Sequence, residues 1–176
     1  GGNTKFYGAA LFRLRREDFG ELRHAGGISP AWPISYEDLE PYYTKVDWEV
    51  GVSGAAGFGD PPRSRPYPLP PLPVKSSGVL FERGARALGL HPQPAPMAIL
   101  SQAWRGRAPC QNCGYCLGFG CEHQAKSSTL VTMIPQAEAT GRCEVRSDCY
   151  VRRIETDALG RATGVTYFDA ERRERF

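Results

Sequence analysis

Apolar positions along this chain recur at helical spacing in three places and alternate with polar ones in another. After Ser35, a candidate N-cap, Tyr42, Val46 and Val50 return every four residues, and Gly51 is a natural stop. Pro41 falls inside that run, so the pattern predicts a short turn to Leu39 and a separate helix with Pro41 as its first residue. Another helix is predicted from about Ser77 through Leu80, Phe81 and Leu88 to Gly89. A third, capped by Ser127 or Ser128, runs through Leu130, Met133, Ala137 and Ala139, is interrupted or restarted at Pro135, and ends at Gly141.

The period changes in the last third. Cys143 to Cys149 alternates small or apolar with charged residues and reads as a strand. Tyr150–Thr156 and Arg161–Asp169 flank Asp157-Ala158-Leu159-Gly160, which predicts a β-hairpin. At the other end, GGNTKFYGAALFRLRREDF reads as a turn feeding an extended segment. Between the first two helices, GVSGAAGFGD leads into a stretch from Pro61 to Pro73 in which seven of thirteen residues are proline, which excludes both helix and central strand. The expected fold class is α+β, mixed helices with a C-terminal antiparallel hairpin or small sheet. Four stretches follow: 1–34; a helical and proline-rich region, 35–109; a cysteine loop, 110–126; and helix plus hairpin, 127–176.

Composition narrows the function classes. With 41% hydrophobic residues in 176 the chain can bury a core, and no apolar run is long enough to span a membrane as a helix. The chain opens on Gly-Gly without an initiator Met, so the lack of a visible signal peptide says little. A net charge of +3 with scattered arginines does not argue for nucleic acid. Six cysteines, four of them in twelve positions, favour reduced thiols or metal ligands over a disulfide scaffold. Location stays open, with the cytoplasm favoured.

The chemistry concentrates in CQNCGYCLGFGCEH. Cys110, Cys113 and Cys116 have the Cys-x2-Cys-x2-Cys spacing of an iron–sulfur ligand set, with Cys121 as a fourth candidate but no following proline. Zinc is an alternative, on the same three thiols with Cys121 or His123, although the second knuckle across a longer spacer is missing. Buried, unliganded thiols are the third reading. Elsewhere, Arg65-x-x-Pro68-x-x-Pro71 has the form of an SH3 ligand, or else is a stiff loop wrapping its own domain. No stretch satisfies G-x-G-x-x-G or a P-loop. Gly1-Gly2-Asn3-Thr4 lets backbone approach a ligand while Asn and Thr offer hydrogen bonds. His24, His91 and His123 form no acid–base constellation.

Taken in order, GGNTKFYGAALFRLRREDF, WPISYEDLEPYYTKV, PRSRPYPLPPLP, ARALGLHP, CQNCGYCLGFGCEHQAKSS and VRRIETDALGRATGVTYFDA resemble the glucose–methanol–choline family of flavoprotein oxidoreductases, especially its choline-dehydrogenase-like branch. The resemblance implies FAD, a small-molecule alcohol substrate oxidised at its CH–OH carbon to an aldehyde, ketone or lactone, and an electron acceptor. It implies flavin contacts at Gly1, Gly2, Asn3 and Thr4, and a backbone contact to adenine at Val151. Tyr7 stands where the family often has Asn. The proline-rich stretch becomes part of a substrate-side region, which removes most of the case for an SH3 partner. The family's cysteine loop is usually metal-free, with one subgroup that holds an iron–sulfur cluster. Neither the family's dinucleotide motif nor its catalytic histidine pair is in this chain. The implied reading is therefore an internal part of the enzyme, inactive by itself, with no catalytic residue to assign.

Overall fold

The computed structural model describes residues 2–176, so the Gly1 contact lies outside the described residues. The fold is α+β and divides into two compact units, one ending at Pro135 and the other Gln136–Phe176.

The first unit begins with a one-turn helix, α1 (Asn3–Phe6), followed by extended chain and a 3-10 turn at Arg16–Phe19. A small hairpin that hydrophobic patterning does not reveal, β1 (Leu22–His24) with β2 (Gly27–Ser29), comes next. Then follow α2 (Tyr36–Val50), the long proline-rich loop, and α3 (Ser76–Ala87), with Gly89 in the left-handed region after it. The middle of the unit is an irregular spine at residues 96–101. Leu11 donates to Pro96, Ala98 to Ala9, Ser53 and Met97 exchange both backbone bonds, Leu100 donates to Ala125, and Ser127 donates to Ala98. Ala9, Val52, Leu69, Ala98, Ile99, Leu100 and Ala125 are buried around it. The largest of them is leucine, so polar groups must share in holding the unit together.

They do so on α2. Ser35 caps it, accepting from the Asp38 amide while the Asp38 carboxylate accepts from the Ser35 amide in return, a reciprocal capping box. Gly51 ends it at φ 78°, and a Cβ there would lie 2.7 Å from Leu100 and Trp104 side-chain atoms. Contrary to the expected break, the helix runs unbroken through Pro41. Its continuity follows from the face it buries. Arg13, buried opposite the helix, donates to Tyr36 Oη at 3.2 Å, Glu40 at 3.0 Å, Thr44 Oγ1 at 2.9 Å and Asp47 at 2.7 Å. Those four acceptors lie on one side only if the helix passes Pro41 without a restart. Removing either partner of a buried pair such as Arg13–Asp47 costs about 3–5 kcal/mol, which outweighs the hydrogen bond that proline forfeits.

The proline-rich loop is clamped to the same helix. Tyr36 Oη donates to the Pro62 carbonyl, Ser64 to Glu40, Trp48 Nε1 to the Pro66 carbonyl, and Arg63 to Asp47. Arg65 lies over the Trp48 ring at 3.5 Å, so the arginine of the SH3-like pattern is spent within the chain.

After the cysteine loop come a 3-10 turn at Thr129–Val131 and α4 (Met133–Ala139), which spans the boundary between the units in sequence. The interruption predicted at Pro135 falls instead at Thr132, whose φ of −122° and ψ of −83° are not helical. Pro135 sits in the first turn of α4, where its missing N–H has no intrahelical partner to lose.

In the second unit β3 (Tyr150–Thr156) pairs antiparallel with β4 (Ala162–Phe168), as the hairpin pattern predicts, and a further short strand, β5 (Glu174–Arg175), extends the sheet. Residues 143–149 are not a strand, although they alternate. Alternation supplies two faces but not a ladder, and no described strand pairs with this segment.

Candidate functional site

The N-terminal segment and the cysteine loop meet at one buried ammonium. α1 is too short to persist alone, and its carbonyls point out of its C-terminal end. Lys5 and Tyr7 carbonyls accept from Lys126 Nζ at 2.9 and 3.0 Å, and the Phe6 carbonyl accepts from the Gly118 amide at 2.9 Å. Lys126 is only 3% exposed, and its ammonium also reaches the Cys116 and Phe119 carbonyls at 2.5 and 2.7 Å. Among the described residues no carboxylate pairs with it. Three N–H donors are thus shared among four backbone oxygens, each bond to a charged group contributing roughly 1.5–3 kcal/mol.

Lys126 is aimed this way because its neighbours are fixed. Ala125 and Ser127 bond the spine on either side, and Ser127 Oγ donates to the Val50 carbonyl at 2.6 Å. Arg107 completes the support, donating to the Val50 carbonyl and to Ser127 Oγ. Tyr7 Oη donates to the Ser127 carbonyl at 2.7 Å. Burial raises the Tyr7 hydroxyl above its usual range, partly offset by Arg107, and burial lowers Arg107 in turn. Tyr7 is therefore turned inward as a tie between α1 and the segment after the loop.

The four cysteines are neighbours but do not form a ligand set. Cys110 and Cys116 pack against the Ala9, Ala98 and Ile99 cluster, Cys110 and Cys121 against the Leu69, Leu100 and Ala125 cluster, and Cys113 is exposed. His123 contacts Glu122. Among the described residues no three Cys, His, Asp or Glu side chains come together as a metal site, so the iron–sulfur and zinc alternatives for Cys110, Cys113, Cys116 and Cys121 gain no support. The loop already encloses a cation, and a metal ion would be repelled by it. Burial, reinforced by the neighbouring thiols, also pushes the Cys116 thiol up, away from the thiolate that a metal needs.

The residues expected to contact the flavin lie in both units, Gly2 to Thr4 in the first and Val151 in the second. Gly2 has φ 70° and nothing within 4 Å of where a Cβ would stand. Asn3 is exposed, and among the described residues its amide has no partner. Thr4 Oγ1 accepts from the Thr129 amide at 3.4 Å and is half-buried. Val151 belongs to the second unit, on β3, the sheet's outer strand, which leaves one backbone edge unpaired. Beside it, Tyr150, Phe168, Asp148, Cys149, Asp169 and Arg172 line an open hollow of about 610 Å³.

Hydrophobic periodicity could not find Lys126, Arg107 or Arg13, which bond to backbone carbonyls or to other polar side chains. The one sequence signal was a lysine lodged between the small residues Ala125 and Ser127 directly after the loop.

A family model described as GMC oxidoreductase matches residues 1–176. The chain is 34% identical over 161 residues to gluconate 2-dehydrogenase flavoprotein of Pantoea cypripedii, covering 80% of this chain and 26% of the relative. To paromamine 6'-oxidase of Streptomyces fradiae it is 33% identical over 171 residues, 96% of this chain and 30% of the relative. To the fructose dehydrogenase large subunit of Gluconobacter japonicus it is 29% identical over 175 residues, 98% of this chain and 31% of the relative. The chain thus spans about a quarter to a third of the length of these relatives. They do not single out the choline-dehydrogenase-like branch.

Proposed function

Because the chain belongs to the GMC oxidoreductase family, we propose that the whole protein is an FAD-dependent oxidoreductase acting on CH–OH groups of alcohol or sugar-type small molecules. The observation that carries this reading is the family match along all 176 residues, strengthened by relatives whose names describe oxidation of gluconate, paromamine and fructose. Bound FAD would supply the hydride acceptor.

The work of this chain is to hold and orient. Gly2 and Asn3, with backbone and amide open on one face, form the flavin-side contact, and Thr4 completes it. Val151 offers its strand edge to the adenine end. The clamp between α2 and the proline-rich loop gives the substrate side a stiff wall. No residue of this chain is assigned the proton-accepting role, since such a base must reach the substrate hydroxyl. No helix among the described residues is long and apolar enough to cross a membrane.

Anaerobic titration of the purified whole protein with a panel of sugars, aldonic acids, diols and simple alcohols tests the reading. At least one class should bleach the bound flavin, and an added electron acceptor should restore its colour. A protein that holds no flavin, or a flavin that no hydroxyl compound bleaches, would overturn it.

A further inference from the structure

The Lys126 cage reaches beyond the stability of the cysteine loop. Of the oxygens around its ammonium, Lys5 O and Tyr7 O belong to the exit of α1, while Cys116 O and Phe119 O belong to the loop. The Phe6 carbonyl, between the first two in sequence, is taken by Gly118 of the same loop. Three consecutive carbonyls leaving α1 are therefore fixed from the loop side. The opposite end of α1 carries Gly2 and Asn3, which are exposed and make no side-chain bond within the described residues. A one-turn helix has no cooperative stability of its own, and a cation at its C-terminal end both completes its orphan carbonyls and opposes its dipole. An acidic side chain could not do this, and a neutral amide offers two N–H donors and no charge where the ammonium offers three and a charge.

We propose that Lys126 is a positioning residue for the flavin contact: by drawing the α1 carbonyls onto the cysteine loop, its ammonium fixes the backbone of residues 2–7 against the cofactor. The inference rests on the flavoprotein reading above. It gives the cysteine loop a purpose without metal, as a wall that supplies two carbonyls and one amide to a buried cation. It also ties the loop and the cofactor segment into one hydrogen-bonded unit.

The test uses the whole protein with Lys126→Met, which keeps the length and removes the charge and donors, and Lys126→Gln, which keeps two N–H donors. Arg13→Leu serves as the control for general loss of a buried cation, because its bonds go to α2. Lys126→Met should weaken FAD binding about tenfold or more and shift the visible flavin bands at saturating FAD, with Lys126→Gln intermediate. Arg13→Leu should lower Tm while leaving the bands in place. If the Lys126 variants fail to fold, hydrogen exchange on the unaltered protein decides: the Lys5, Tyr7 and Gly118 amides should exchange at one rate and gain protection together when FAD binds. The proposal is overturned if Gly118 exchanges independently of Lys5 and Tyr7, or if Lys126→Met keeps the FAD affinity and bands of the parent. A parent protein that binds no FAD would instead overturn the functional reading, and the two failures are thereby told apart.

Discussion

The Lys126 ammonium lies 2.5 Å from the backbone oxygen of Cys116, inside a loop whose cysteine spacing suggests a metal. The contact reverses the chemistry expected there: the loop offers carbonyl oxygens to an organic cation and turns thiols into apolar clusters.

Thiol reactivity should follow that arrangement. Cys113 is exposed, whereas burial and neighbouring thiols raise the Cys116 pKa and so reduce its thiolate fraction. With limiting iodoacetamide near neutral pH, peptide mass spectrometry should show Cys113 modified well before Cys116. Equal rates would mean that the loop does not hold this conformation in solution.

Glu40 should contribute an acid-dependent part of stability. Burial opposes its charge, but bonds from the Ser64 amide, Thr44, Arg13 and the Ser64 hydroxyl outweigh that, and its pKa is lowered from 4.5 to about 2. A folded-state pKa below the unfolded one means that the charged form stabilises the fold. The contribution is present above about 4.5 and is lost as pH falls toward about 2. The Tm difference between the parent protein and Glu40→Gln should therefore be at its full size above about pH 4.5 and shrink on acidification. A difference that stays constant with pH would remove Glu40 from this role.

Pro41 should be a net burden on α2. Pro41→Ala restores a donor to the Glu37 carbonyl without touching the buried face, at some cost through a freer unfolded chain. Urea unfolding should show a gain of about 1–2 kcal/mol. A loss would show that the ring itself packs.

Much of this architecture is legible in the sequence, and the parts that are not share a cause. Helix starts and stops, at Ser35, Gly51 and Gly89, rest on local backbone chemistry, and the hairpin around 157–160 rests on a turn. All of these survive in the fold. Which face is buried was not legible on α2: Tyr42 and Val46, the periodic apolar positions, are exposed, and Tyr36, Thr44 and Asp47 are buried because Arg13 meets them. Hydrophobic spacing does not see a face closed by one arginine, so it also misplaced the helix start at Pro41. The strand expected at 143–149 failed for want of a pairing partner, which lies outside any local pattern. In the candidate site, residues 2–4 and 110–121 stand out as glycine and cysteine motifs, but their connection through Lys126 depends on backbone oxygens that every residue has.

Elemental analysis of the purified whole protein tests the central claim most directly, because one run reads phosphorus, iron and zinc against sulfur. The expected result is phosphorus in the proportion of one FAD per chain, with iron and zinc both far below one per chain. Stoichiometric iron or zinc without phosphorus would contradict it and return the cysteine loop to a metal.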